Sequence, residues 1–272
     1  MRYFEATLAE NEVLAPHTFV LHLDGCAALA PMRPGQFIML RGEWGRDPML
    51  PRAFSVLGVA DGRCEVLVKT HGRGTALLEA ARPGQRFSLL GPLGTWFPAP
   101  SADSRQWLVA GGVGLAPLLF HAERAAAAGF ASSVRLFYGG RSAVDLVLLE
   151  RMARAGIAVD LATDDGSRGM HGRVPSAVER ALDADRGATP PTLLVCGPEP
   201  MLIATARLAR ARALPAFLSL EGEMGCGIGV CLGCAVACAT RPFRYTCKEG
   251  PVMALDELRG PYAPSAPAGD AA

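Results

Sequence analysis

The chain has 272 residues, 50% of them hydrophobic and 19% charged, which excludes a globally disordered protein. Lys+Arg is 27 and Asp+Glu is 26, a formal net charge of +1, so there is no basic field and no nucleic-acid partner is expected. At roughly 100–200 residues per domain, the length predicts two domains with a small appendage.

Several further features bound the reading. Only Lys69 and Lys248 are lysines; every other basic residue is arginine, which reads as compositional bias in an alanine-rich chain. No apolar run approaches the roughly 18 residues of a membrane span, so no membrane association is expected. The opening MRYFEATLAENEV is acidic and lacks the pattern of a signal peptide, and a cytoplasmic protein is expected.

In chain order, residues 1–100 predict an all-β barrel. Six short alternating runs recur between turn signals: YFEATLAE, HTFVLHLDG, GQFIMLRG, RAFSVLGV, CEVLVKT and QRFSLLGP. One helix follows Gly74-Thr75 as ALLEAAR. Residues 101–218 begin with a linker, SADSRQ, and then alternate strand with helix. The strands are WLVA, VRLFYGG, IAVDLATDDG, TLLVCG and AFLSLEG. The helices are PLLFHAERAAAAG, AVDLVLLERMARAG, PSAVERALDA and PMLIATARLARAR. This alternation predicts a doubly wound parallel sheet. Residues 219–258 form a small Gly- and Cys-rich subdomain that needs a metal centre for stability. Residues 259–272 form a Pro/Ala-rich tail, expected to be disordered. The fold class is therefore an all-β barrel plus α/β.

Five of the eight cysteines fall within residues 226–247, spaced Cys226-x4-Cys231-x2-Cys234-x12-Cys247, with Cys238 between. C-x4-C-x2-C with a distant fourth cysteine is the plant-type [2Fe–2S] pattern. Thiolates are the ligands, and Gly225, Gly227, Gly229 and Gly233 permit the backbone angles that aim three of them at one centre. Structural zinc is the alternative. It usually uses two C-x2-C pairs, and only Cys231/Cys234 forms one. Cys238 competes with Cys247 as fourth ligand. The run ACATRPFRY reads as a strand and turn that would return Cys247 to the loop, which favours Cys247.

Two Gly/Pro turns follow buried strands and open helices: Gly111-Gly112-Val113-Gly114-Leu115-Ala116-Pro117 and Cys196-Gly197-Pro198-Glu199-Pro200-Met201. Small residues there let backbone N–H groups approach a pyrophosphate at a helix start. Each also reads as a turn without ligand. In the barrel, Arg52-Ala53-Phe54-Ser55 offers an arginine for a phosphate and a serine for a ring atom. Lys69-Thr70-His71-Gly72-Arg73-Gly74-Thr75 precedes the inserted helix. Taken singly, these are ordinary strand and turn residues. His71 reads as a solvated loop residue, Cys196 as a small core residue, and Cys26 and Cys64 as filler.

In this order the motifs resemble the ferredoxin-reductase-like flavoenzymes. The run EGEMGCGIGVCLGC with CKEGPV after it is similar to the electron-transfer subunits of class 1B dihydroorotate dehydrogenases, over about residues 3–258. The resemblance implies an FAD-binding barrel (1–100), an NAD-binding α/β domain (101–218) and a [2Fe–2S] subdomain (219–258). It implies FAD contacts at Arg52, Ala53, Phe54, Ser55, Leu67, Val68, Lys69, Gly74 and Thr75. It places NAD at Gly112, Gly114, Pro117, Cys196, Gly197, Pro198 and Met201. The implied cluster ligands are Cys226, Cys231, Cys234 and Cys247. Ala53 and Phe54 depart from the family's usual proline and aliphatic residue, and Cys238 is extra.

The implied function is electron transfer in pyrimidine (UMP) biosynthesis. A separate FMN-containing catalytic subunit, in a two-plus-two heterotetramer, would oxidise dihydroorotate. Electrons would pass through the [2Fe–2S] cluster to FAD and leave as a hydride to NAD+. No side-chain catalytic base is needed. A (β/α)8 catalytic barrel takes about 250 residues, which this chain cannot also hold. The Cys-rich loop is the expected interface. The alternatives are a reductase subunit serving a ferredoxin or sulfite system, a stand-alone flavin reductase, and a zinc module on a degenerate reductase.

Overall fold

The computed structural model describes residues 1–101, 103–187 and 189–263. Seven strands form the first sheet: β1 (Arg2–Ala15), β2 (Thr18–Asp24), β3 (Phe37–Gly42), β4 (Arg52–Ser55), β5 (Gly58–Ala60), β6 (Arg63–Lys69) and β7 (Arg86–Leu93). Helix α1 (Arg73–Glu79) lies between β6 and β7. All pairings are antiparallel, in the order β4-β3-β7-β1-β2-β6-β5. Alternation drives the sheet to curl: Phe87 and Leu89 on β7 face inward with Leu8, Phe19, Leu21 and Leu23, and their chain neighbours face out. Only Val56 and Leu57 separate β4 from β5, which stand at opposite ends of the strand order. The two ends must therefore meet, and the sheet closes as a barrel.

That closure corrects one expectation. RAFSVLGV is not one strand. Val56 and Leu57 are buried and carry the chain from one sheet edge to the other, with the Leu57 N–H donating to Glu65 O at 2.8 Å. Strand β1 is also longer than YFEATLAE; irregularities at Leu8/Glu10 and Val13/Ala15 let it bend around the barrel.

The second sheet is built from β8 (Gln106–Gly111), α2 (Leu115–Ala127), β9 (Val134–Gly140), α3 (Leu149–Arg154), β10 (Ala158–Thr163), β11 (Met170–His171), α4 (Val174–Ala184), β12 (Thr192–Cys196), α5 (Glu199–Ala211) and β13 (Ala216–Ser219). Then come β14 (Ala235–Ala237), β15 (Phe243–Tyr245), α6 (Thr246–Glu249) and β16 (Val252–Ala254). The order is β11-β10-β9-β8-β12-β13-β16, parallel except for β16. Both faces are covered. Leu108 and Ala110 of β8 pack with Leu115, Leu118, Leu119 and Ala122 of α2. Trp107 and Val109 face Val178 of α4 and Leu202 and Ala206 of α5. This is the doubly wound arrangement. The α2 cluster also takes in Val20, Leu57, Leu67 and Phe97 of the barrel, so one core runs through both sheets.

Two further differences matter for the site. The helix expected over AVDLVLLERMARAG is shortened to α3. Residues Ala143–Asp145 form a single 3-10 turn, and Leu148 adopts φ 61°. The Asp145 carboxylate accepts the Arg141 and Ser142 N–H groups and so caps a single turn; Leu146 at ψ 88° and Leu148 at φ 61° then take the chain out of helical geometry until α3 begins. Strand β16 was not anticipated. It returns the chain from the cysteine region to pair antiparallel with β13, Ser219 opposite Val252. Of the tail expected to be disordered, Arg210 Nε holds Tyr262 O at 2.9 Å; residues 264–272 lie outside the described residues.

Candidate functional site

On the barrel, β4 is the one strand of the first sheet whose residues are all half-buried, which leaves Arg52, Ala53, Phe54 and Ser55 open to a ligand. Its arginine is fixed by a distant contact. The Arg52 guanidinium lies so close to Gly74 in α1 that a Cβ there would collide with it. Strand β4 and the start of α1, separate motifs in the sequence, thus form one cradle of a cation and helix-start amides. The Thr75 hydroxyl accepts the N–H groups of His71 and Gly72 at 2.8 and 3.0 Å and shapes the turn from within. Leu67 and Val68 are buried on opposite faces of β6, Leu67 in the core shared with the second sheet and Val68 in that of the barrel. Lys69 turns toward the second sheet, its Nζ 2.6 Å from Asp145 Oδ1.

At the C-terminal ends of the parallel strands lies a cavity of about 380 Å³. Gly112, Pro198 and Met201 line it, beside Gly139, Gly140 and Lys69. The two expected turns meet backbone to backbone. A Cβ on Gly114 would collide with the Cys196 carbonyl, and one on Gly197 would stand 2.6 Å from Met201 Cε. Gly112, at φ 53°, has open space before it. Gly114, Gly197, Pro117 and Cys196 therefore shape the floor from behind and do not line the cavity. Burial pushes the Cys196 thiol up to about 12, so it is a neutral core group.

The cavity also holds side chains that motif reading passed over: Asp145, Arg173 and Glu221. Burial pushes the Asp145 carboxyl up, but the Lys69 ammonium and the Ser142 N–H outweigh it and hold the carboxyl below its ordinary range. Burial raises Glu221, and Glu199 adds to the effect. Glu221 opens the EGEMGCGIGVCLGC run, but no motif marks Asp145 or Arg173; the segments that follow β9, β11 and β13 bring the three together. Asp164 and Arg141 also line the cavity.

The cysteine loop packs against the barrel. Gly227, at φ 71°, lies on Met39 and Leu93, and a Cβ there would stand 2.9 Å from Met39 Sδ. Phe37, Met39, Leu93, Cys234 and Cys247 form one apolar cluster, and Ala53 of β4 packs against it. Cys234 Sγ and Cys247 Sγ are 3.3 Å apart and buried, while Cys231 is exposed and Cys226 half-buried. Cys226 Sγ accepts the N–H groups of Ile228 and Cys231, both at 3.4 Å. Burial opposes ionisation of Cys226, but these amides bring its thiol down to about 6. Burial and the Cys234 thiol push Cys247 up to about 12, against the pull of the Gly229 amide. Amides aimed at sulfur and an all-thiol donor set fit a thiolate-bound cluster. Among the described residues no three Cys, His, Asp or Glu side chains surround a single point at ion-binding distance. Cys238 is elsewhere: it is buried in the core beneath α5, and its thiol donates to Val236 O.

Comparison with known proteins agrees with these three regions. The family model for an oxidoreductase FAD-binding domain matches residues 5–97, and that for an oxidoreductase NAD-binding domain matches 108–207. The model for the iron–sulfur cluster binding domain of dihydroorotate dehydrogenase B matches 221–259. The chain is 37% identical over 259 residues to the dihydroorotate dehydrogenase B (NAD(+)) electron transfer subunit of Geobacillus kaustophilus, covering 93% of this chain and 96% of that one. It is 32% identical to the same subunit of Desulforamulus reducens, over the same shares of each. Among solved structures, an NADH-dependent reduced ferredoxin–NADP oxidoreductase shares the fold at a TM-score of 0.81, with 23% identity over 93% of this chain and 89% of that one. Cofactor sites for FAD, NAD and an iron–sulfur cluster thus occur along the chain in the order read from its motifs. The chain belongs to the family of dihydroorotate dehydrogenase B (NAD+) electron-transfer subunits.

Proposed function

We propose that the chain carries electrons from a dihydroorotate-oxidising, FMN-containing catalytic subunit to NAD+ in pyrimidine biosynthesis, as half of a two-plus-two heterotetramer in the cytoplasm. The observation that carries this reading is the apolar cluster in which Ala53 of the flavin strand meets Cys234 and Cys247. It puts the two candidate redox sites side by side. When bound, an iron–sulfur cluster supplies one-electron transfer and FAD supplies the conversion between single electrons and a hydride.

The chain's own residues bind and orient. Arg52 supplies a cation for the flavin's phosphates at the start of α1, and Ala53, Phe54 and Ser55 present the strand edge to its ring. Leu67 and Val68 offer backbone, and Gly74 and Thr75 keep the turn narrow enough for close approach. Gly112, Pro198 and Met201 form the nicotinamide-nucleotide surface, backed by Gly114, Pro117, Cys196 and Gly197. Lys69 stands where the flavin strand and this surface meet. Cys226, Cys231, Cys234 and Cys247 hold the cluster. Ile228, Val230 and Leu232 are exposed apolar residues of the same loop, with Met49 and Leu50 beside it, and form the face for the catalytic subunit. No helix among the described residues is long and apolar enough to cross a membrane.

The test is anaerobic co-purification from the native cytoplasm. A partner containing FMN, with dihydroorotate-dependent NAD+ reduction by the complex, is expected. A ferredoxin- or sulfite-linked partner would retain the cofactors and discard the pyrimidine role.

A further inference from the structure

The two lysines survive in a chain that otherwise writes its cations as arginine. Lys69 lies at the nucleotide cavity. Lys248 lies in the cysteine region, directly after Cys247, on α6. Its stem runs across Gly229, so closely that a Cβ on Gly229 would collide with Lys248 Cδ. Gly229 is at φ 78° and carries the amide that faces Cys247. The lysine is exposed, on the same rim as Val230 and Leu232.

The arginines of the same segment are neutralised. Arg241 pairs with Glu249, and Arg244 with Glu257 at 2.6 Å. Lys248 has no such ion pair among the described residues. A flexible four-carbon stem can lie flat over a glycine peptide and end in a compact charge; the planar guanidinium on its longer arm fits that path less well. An uncompensated cation beside a thiolate-bound centre stabilises whichever state carries more negative charge, and for an iron–sulfur cluster that is the reduced one.

We propose that Lys248 is a positioning residue of the iron–sulfur site: its stem covers the Gly229 peptide and its ammonium holds the cluster's reduction potential up. This rests on the reading of Cys226, Cys231, Cys234 and Cys247 as cluster ligands.

The test is a redox titration of the purified, cluster-loaded full chain, followed by electron paramagnetic resonance of the reduced cluster. Lys248→Met keeps the stem and removes the charge. At low salt its reduced-to-oxidised ratio at a fixed potential should fall about threefold, where a tenfold change corresponds to 59 mV for one electron. Lys248→Arg should fall by less, because it keeps the charge. In 1 M salt, where the screening length is about 3 Å, the difference between wild type and Lys248→Met should shrink. Lys248→Gln repeats the measurement should Lys248→Met load poorly. Equal potentials for wild type and the neutral variants at low salt would overturn the proposal, as would an equal drop in Lys248→Arg. A wild-type chain that takes up no cluster overturns the ligand reading instead, so the two failures are distinct.

Discussion

At the residue scale, the proposed flavin cradle depends on one absent methyl group. Gly74 lets the Arg52 guanidinium lie against α1, and any Cβ would push it away. Gly74→Ala should therefore weaken FAD retention by a similar amount to Arg52→Ala. The loss of a charge-assisted phosphate contact is about 1.5–3 kcal/mol, or roughly 10–100-fold in affinity. Flavin fluorescence released on dilution reads this directly; full retention in Arg52→Ala would remove the arginine from the site. The cysteines make a second contrast. Cys238→Ser should leave iron per chain unchanged, because its thiol sits in the core beneath α5. Cys247→Ser should lose iron, because its sulfur stands 3.3 Å from Cys234. Iron analysis after anaerobic reconstitution separates the two.

At the element scale, α2 carries a pH dependence. His121 Nε2 donates to Gln106 Oε1 at 2.7 Å, and Gln106 Nε2 donates to Pro98 O at 3.1 Å, so the segment leaving the barrel is tied to this helix. Burial brings the His121 imidazole down to about 4. A folded-state value below the unfolded one means that unfolding takes up a proton. The contribution is full above about pH 6.5 and is lost as the pH falls toward 4. It amounts to about 2 kcal/mol between pH 7.5 and pH 5. Urea midpoints at the two pH values measure it, and His121→Gln should remove most of the difference.

The same scale shows what could be read in advance. Strand and helix alternation was legible because each strand of the second sheet carries its own apolar pattern: Leu108 and Ala110 face one layer, Trp107 and Val109 the other. The lost turns of the helix before α3 were not legible, because AVDLVLLE has good helical spacing. Asp145 caps a single turn there, and its carboxylate is held as well by Lys69, a residue far away in sequence. The split between β4 and β5 and the pairing of β16 have the same character: each is decided by a partner strand. The cysteine pattern announced its chemistry through spacing alone. Arg52 and Gly74 announced theirs only as two separate motifs, and their contact belongs to the fold. Asp145 and Arg173 carry no motif, and Glu221, though it opens the cysteine-rich run, gave no sign there of its place in the cavity wall.

At the scale of the whole molecule, the barrel and the parallel sheet are joined by one core and by charge. Arg151 on α3 bonds Glu65 of β6 at 2.7 Å and Glu123 of α2 at 2.8 Å. With Lys69–Asp145 this fixes β6 relative to the nucleotide cavity. The cysteine loop projects on the outer side of that assembly, with Val230 73% exposed. Val230→Asp should weaken association with the catalytic subunit by tenfold or more, since a charge would be desolvated in an apolar contact. Iron and FAD contents should stay unchanged. Analytical ultracentrifugation of the mixed subunits reads the complex; undiminished assembly would place the interface elsewhere.

The return of β16 to β13 has a consequence for how such a molecule is put together. Ser219 and Val252 face each other across the sheet, so residues 220–251 are, topologically, an enlarged hairpin turn. The metal-bearing region is a graft whose two stems lie side by side on a finished scaffold. Such a graft can be lengthened, shortened or exchanged without altering the order of any strand. The strand order of the scaffold would persist, but the apolar face of Phe37, Met39 and Leu93, the core position of Cys238 beneath α5 and the Glu221 wall of the nucleotide cavity would each need a replacement. Architecture of this kind lets one reductase body be wired to different electron sources by changing a single turn.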